Sequence, residues 1–261
     1  GHSSASGIKN VRYLLDGKGK VLHTYDTGTD VTMWGGGEQT LLVGRNTENG
    51  FGNGAIDWEG NTVIPFVYLY VDFFSEGMAA VKDENGMGFV NRSGALVVPT
   101  QFQTTRAFSD GLAVVKKTDD TYAYIDKTGK IVIDASKYRY VDSFSEGMAR
   151  VWKVEGNTRR CGFIDKTGKE VIPCQYDWVG HFIDGVTYVL QNQQLWTMDK
   201  TGKKLNYLTD AAHSVSYTGA GYVPEKDILK VEKIIDFSGG DHEHMETYYD
   251  RNGEFSYETY L

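Results

Sequence analysis

An all-β fold of tandem antiparallel meanders is what this sequence predicts, and three observations predict it. Asp or Asn, two residues and then Gly recur at 57–60, 91–94, 126–129, 165–168 and 199–202, with outlying copies at 16–19 and 250–253. A second phrase, Phe-Ser-acid-Gly, recurs at 74–77, 108–111 and 144–147 and, degraded to Phe-Ile-Asp-Gly, at 182–185. Residues after the second phrase alternate with period two, and no ten-residue stretch carries a helical apolar stripe. The period is about 35 residues, enough for four short strands with their turns.

The first phrase reads as a hairpin turn. In the run Phe163-Ile164-Asp165-Lys166-Thr167-Gly168-Lys169-Glu170-Val171-Ile172, two apolar β-prone segments flank a short polar loop. Its Asp can accept backbone amides and its Gly can take a positive φ. Proline follows at Pro65, Pro99 and Pro173, where the missing N–H is expected to end the ladder, and an aromatic comes three residues later at Tyr68, Phe102 and Tyr176.

The second phrase reads as the next turn, and the strand after it should present one face inward. Positions two and four beyond its glycine are Ala79 and Val81, Ala113 and Val115, Ala149 and Val151, and Thr187 and Val189. The small residue of each pair lets a neighbouring unit approach closely. Two architectures satisfy this arithmetic. Six or seven units can close radially into a propeller, which removes exposed sheet edges, or stack as an open β-solenoid of hairpins. Residues 1–7 read as a leader or cloning remnant, and residues 8–261 as one repeat domain of about seven units whose outer copies have drifted.

From about Gly50 to Leu205 the chain resembles the WG-repeat family of bacterial proteins. The likeness is carried by Gly162-Phe163-Ile164-Asp165, Val171-Ile172-Pro173, Tyr176-Asp177 and Phe144-Ser145-Glu146-Gly147-Met148-Ala149. The name-giving tryptophan is replaced by Asn53, Met87, Tyr122, Cys161 and Leu195, while the adjacent glycine persists at Gly54, Gly88 and Gly162. The resemblance implies a β-repeat scaffold in exported or multidomain bacterial proteins. It carries no catalytic residues over.

Composition narrows the function classes. With 261 residues, 40% hydrophobic, the chain can bury a substantial core. Acids outnumber bases 35 to 27, and no run of basic residues interleaves with aromatics along the chain, so nucleic acid and anionic membrane are not expected partners. No apolar run approaches the length of a membrane-spanning helix. Export to the periplasm, cell surface or outside the cell is expected from the family resemblance and the small, polar start.

Catalysis needs groups assembled once, so candidate sites belong where the repeat breaks down. Trp34-Gly35-Gly36-Gly37 aligns near a missing Phe-Ser-acid-Gly turn and reads as a degenerate turn, since no Gly-Lys-Ser/Thr ending or helix follows it. Asp241-His242-Glu243-His244 places two histidines two apart, a spacing that serves metal binding on a strand, but it follows Gly239-Gly240 and reads as a solvated loop. No metal or cofactor is therefore assigned. Asp126, Asp165 and Asp199, and Ser75, Ser109 and Ser145, have adequate structural work in turns.

Cys161 and Cys174 leave two alternatives open. If Asp165 pairs with Glu170 across the turn, the two thiols face each other on adjacent strands, either bridged or as separate buried thiols.

Aromatics make up 13% of the chain. Trp58, at the tip of the 57–60 turn, is the leading binding candidate, with Trp178 and Trp34 as companions. Exposed, such rings would stack on a sugar or a partner protein; folded over a neighbouring unit, they would be packing. The expected function is a non-enzymatic scaffold that binds a protein or polysaccharide. The alternatives are a carbohydrate hydrolase with carboxylates from different units in one cleft, and a purely architectural module.

Overall fold

A computed structural model describes residues 11–15, 18–26, 31–37, 39–48, 50–210, 215–223, 228–236, 242–250 and 255–260, with side chains at 13, 18–21, 24, 39–48 and 50–208. Residues 1–7 lie outside these, as do all or part of the turns at 16–19 and 250–253. Among the described residues every element is a strand, and none forms a helix long and apolar enough to cross a membrane.

The strands form successive four-stranded antiparallel meanders. After the hairpin of β1 (Val11–Leu15) and β2 (Val21–Asp26) comes the sheet of β3 (Val31–Gly37), β4 (Thr40–Thr47), β5 (Gly50–Asp57) and β6 (Thr62–Tyr68). It is followed by β7 (Tyr70–Ser75), β8 (Met78–Asp83), β9 (Gly86–Asn91) and β10 (Leu96–Phe102). The third sheet holds β11 (Thr104–Thr105), β12 (Ala113–Lys116), β13 (Tyr122–Ile125) and β14 (Ile131–Asp134). The chain divides into two compact units, Gly1–Val132 and Ile133–Leu261. The second unit holds the sheet of β15 (Tyr140–Val141), β16 (Met148–Glu155), β17 (Thr158–Asp165) and β18 (Glu170–Tyr176). It also holds β19 (Trp178–Val179), β20 (Val186–Gln191), β21 (Gln194–Asp199) and β22 (Lys204–Asp210), and then β23 (Val215–Val223), β24 (Ile228–Asp236), β25 (His242–Asp250) and β26 (Phe255–Tyr260).

Both turn phrases behave as their chemistry dictates. In the second, acid and glycine both take the left-handed conformation, with φ 52° at Glu146 and 80° at Gly147, and Ser145 and Met148 exchange backbone hydrogen bonds around them. That is a two-residue hairpin of the type whose twist matches the strands. In the first, the Asp165 carboxylate accepts from the amides of Thr167 and Lys169 at 2.9 and 3.1 Å and from the Thr167 hydroxyl at 2.6 Å. Asp126 and Asp199 make the same contacts, and Asn91 makes them without a charge.

Within each unit, adjacent sheets pack face to face. In the first, Val71, Phe74, Ala79, Val81 and Val90 from one face of the β7–β10 sheet join Leu42, Ala55, Ile64 and Tyr68. The opposite face gives Met78, Ala80, Phe89, Val98 and Phe102 to a core shared with Phe108, Ala113, Val115, Ala123 and Ile125. The second strand of the meander is therefore buried on both faces, not only on the face that period two marks. In the second unit, Trp152, Cys161, Phe163, Ile172 and Tyr176 pack against Val179, Phe182, Val189 and Met198. Phe108 and Phe182, each from one of these phrases, dock on the preceding sheet, with ring centroids 4.8 Å apart for Phe89 and Phe108 and 4.7 Å for Phe163 and Phe182. Each such ring contributes about 1.5–3 kcal/mol through burial.

Four expectations are corrected. The prolines do not end their strands. Pro65, Pro99 and Pro173 lie inside the edge strands β6, β10 and β18, at a bulge after which pairing resumes at the aromatic, as in Asn53 with Tyr68, Met87 with Phe102 and Cys161 with Tyr176. An edge strand tolerates proline because one side needs no donor. The same bulge overturns the register assumed for the cysteines. Phe163 pairs with Ile172 but Cys161 pairs with Tyr176, so Cys174 sits on the bulge and both thiols are free. The segment Trp34 to Gly37 is the end of strand β3 instead of a turn; Gly37 pairs with Thr40 and the reversal lies between them. His242, Glu243 and His244 are strand residues of β25, not a loop, while Asp241 and the side chains of this segment lie outside the described residues.

Candidate functional site

The bulge explains the surviving glycines. A Cβ at Gly162 would come 2.3 Å from the Ile172 carbonyl oxygen and 2.6 Å from the Pro173 carbonyl carbon; Gly54 and Gly88 meet Ile64 and Val98 in the same way. Where the proline is absent, the glycine is too: its place is Ala123 in β13 and Trp196 in β21, and Trp196 pairs with Tyr207 at 5.1 Å between ring centroids. These residues belong to packing, as do the repeated acids and serines. Ser75 Oγ donates to the Phe108 carbonyl at 2.8 Å, joining consecutive sheets.

A larger set of acids and lysines does the same work between turns. The Glu76 carboxylate accepts from the Gly111 amide of the next Phe-Ser-acid-Gly turn, and Lys127 donates to the Glu76 carbonyl at 2.8 Å. In the second unit Glu146 accepts from the amides of Asp184 and Gly185, and Lys200 donates to the Glu146 carbonyl at 2.8 Å. Burial pushes the Glu146 carboxyl up, but Lys200 and the two amides outweigh it and leave its pKa below the usual 4.5.

Of the three tryptophans singled out from sequence, Trp58 stands at its turn tip, 41% exposed, in the first unit. Trp178 opens β19 in the second unit, 37% exposed, and its indole N–H donates to the Tyr188 hydroxyl at 3.1 Å. The backbone of Trp34 lies in β3, and its side chain falls outside the described residues.

Around Trp178 the repeat is broken by residues that sequence reading missed. Arg150 occupies the strand position filled by Ala80 and Val114 in other units. Its Nε and Nη2 donate to Asp142 Oδ2, its Nη1 donates to the Val179 carbonyl at 3.2 Å, and its Nη2 lies 2.7 Å from His181 Nε2. A guanidinium only donates, so at this contact His181 Nε2 is assigned as the acceptor. The guanidinium stands over Trp152 at 5.4 Å and Trp178 at 5.9 Å. Arg150 and Asp142 are largely buried, whereas His181 is about half exposed. The arrangement offers a ligand an indole edge and an imidazole held by a buried ion pair. The signal was the substitution of arginine for a small apolar residue in Met148-Ala149-Arg150-Val151. Among the described residues no cluster of His, Cys, Asp and Glu could hold a metal ion.

Both thiols are chemically quiet. Burial pushes Cys161 up to about 12, and burial together with the neighbouring Glu170 carboxylate pushes Cys174 up to about 11.

Fold and site together define a tandem β-meander repeat protein with structurally committed repeat residues. The chain belongs to the WG-containing repeat family, whose repeat matches residues 54–86, 87–122, 122–153 and 162–194. Each family repeat runs from the last two strands of one sheet into the first two of the next, so sequence repeat and sheet are out of phase by two strands. No curated relative matches the chain in sequence. Among solved structures, a eukaryotic initiation factor aligns with TM-score 0.59 at 11% identity, covering 94% of this chain and 69% of that one. An uncharacterized protein from Listeria monocytogenes EGD-e aligns at TM-score 0.46 and 8% identity, covering 89% and 82%. YCF48 bound to D1 peptide aligns at 0.44 and 12%, covering 95% and 83%. At such identities the initiation-factor match is a likeness of fold.

Proposed function

We propose that this chain is a non-enzymatic β-repeat scaffold that binds a protein or polysaccharide partner, exported from a bacterial cell. The carrying observation is the division of labour among its polar residues. The recurring acids, serines and lysines hold turns and neighbouring sheets, while the residues that break the pattern gather around a partly exposed tryptophan. Trp178 with Arg150, Asp142 and His181 has the composition of an interface anchor, an aromatic beside a guanidinium. Trp58 is a second contact, in the other unit. A carbohydrate hydrolase would need two carboxylates free to act on substrate, and Asp126, Asp165 and Asp199 each hold two backbone amides.

The test is a screen of immobilised glycans and of envelope proteins with the purified chain, repeated with Trp178→Ala and Trp58→Ala. Loss of a hit by about thirtyfold on truncation of either indole is the expected outcome, matching about 2 kcal/mol for an anchor residue. Turnover of a glycan by the wild-type chain, abolished by replacing one carboxylate, would overturn the reading.

A further inference from the structure

We infer that the hairpin of β16 and β17 is a docking edge for an extended, acidic segment of a partner protein. The inference rests on the reading of the chain as a binding scaffold and names the chemistry of the partner.

Three observations converge there. First, the edge is open. β16 pairs with β15 only at Tyr140 and Val141, and the last bond on that side runs from the Arg139 amide to the Trp152 carbonyl at 2.8 Å. β16 continues through Lys153, Val154 and Glu155, paired with β17 on its other side. By the alternation of an antiparallel ladder, the Val154 N–H and C=O point to the β15 side, where no strand partners them among the described residues. In the sheets of β8 and β20 the matching hairpins turn back sooner, after Asp83 and Gln191.

Second, the edge is flanked by cations that no acid among the described residues neutralises. Arg159, directly opposite Val154, and Arg139 both stand over the Tyr140 ring, at 5.7 and 5.5 Å. Both are exposed, and among the described residues neither is in an ion pair, whereas nearby Arg150 and Arg160 are paired with Asp142 and Asp177. Lys137 lies over the adjacent Tyr138 ring, and Glu155 is the acid on the hairpin itself. In a chain of net charge -8 this is a local positive spot.

Third, the ring faces are covered. Guanidinium groups stand over Tyr140 and over Trp152, the latter approached by Arg150 and Arg159. A sugar needs a bare ring face to stack on, and a long polyanion would meet the net negative charge of the whole chain. A short extended peptide suits the geometry: its backbone extends the β16 ladder at Val154 while alternate carboxylates reach Arg139 and Arg159.

The test measures fluorescence anisotropy of a labelled synthetic peptide alternating glutamate and valine, against its glutamine-valine counterpart, an oligouronate and a single-stranded oligonucleotide. The glutamate peptide should bind the chain about tenfold tighter than the glutamine peptide, and more weakly as salt rises. Arg139→Gln with Arg159→Gln should erase that difference, and Val154→Pro, which removes the edge N–H, should weaken both peptides; each variant is accepted only with native circular dichroism. Equal binding of the two peptides, or preference for the oligouronate or oligonucleotide, overturns the inference. If binding of a screened partner is lost with Trp178→Ala yet unaffected by the arginine pair, this inference fails while the scaffold reading stands. If no glycan, protein or peptide binds, both fail.

Discussion

Lys200 donates to the backbone carbonyl of Glu146 at 2.8 Å and lies 2.9 Å from its carboxylate, across 54 positions of sequence. The same carboxylate holds the amides of Asp184 and Gly185. One side chain thus joins two successive Phe-Ser-acid-Gly turns, and a lysine from the Asp-x-x-Gly turn that follows them, at 199–202, locks it. Lys127 and Glu76 repeat the relationship in the first unit. Glutamate at the left-handed position of a tight turn carries a backbone cost of about 1 kcal/mol, and the clamp offsets it.

Replacing Glu146 with Ala should therefore cost more than replacing Lys200 with Met. The first leaves two amides without their acceptor, at about 2 kcal/mol, and the second removes a partly exposed cation, at about 1 kcal/mol. Urea unfolding of both single variants and the double should show the pair to be non-additive. Simple additivity would mean the clamp is geometric only.

Two glycines should respond differently to a methyl group. Gly162→Ala drives a Cβ into the backbone of Ile172 and Pro173 and should cost about 3 kcal/mol. Gly147→Ala meets open space but strains a φ of 80°, and should cost about 1 kcal/mol. Thermal unfolding of the two variants ranks them directly.

The native protein should carry two unreactive thiols. With Cys161 at about 12 and Cys174 at about 11, almost no thiolate exists at pH 7, so a disulfide reagent should modify neither at an appreciable rate until denaturant is added. Mass spectrometry without reduction should find the full complement of two thiol protons. A rapid native reaction would contradict the burial.

Acid should weaken the turns in a defined direction. Hydrogen bonds from Thr128, Thr167 and Thr201, with backbone amides, hold Asp126, Asp165 and Asp199 below the usual 3.8. A lowered folded pKa means stabilisation that is complete above the unfolded value and lost as pH falls through the folded one. The urea midpoint should hold between about pH 7 and 5 and decline below about 4. Changing all three to Asn, which Asn91 shows to be a competent acceptor, should flatten that decline while leaving the midpoint at neutral pH nearly unchanged.

The sequence by itself determined the all-β class, the meander, the two turns and the inward Ala and Val positions. Each depends on residues a few positions apart: a carboxylate reaching amides two and four residues on, a glycine closing a hairpin, alternation along one strand. Tertiary structure alone decided what depends on strands meeting. It inserted the bulge that separates Cys161 from Cys174 and demands Gly162, and it buried the second strand on both faces by stacking sheets on either side. It also drew Arg150, Asp142, His181 and Trp178 into one cluster, and Arg139 and Arg159 onto one tyrosine, because register and sheet stacking, not spacing along the chain, bring such residues within reach.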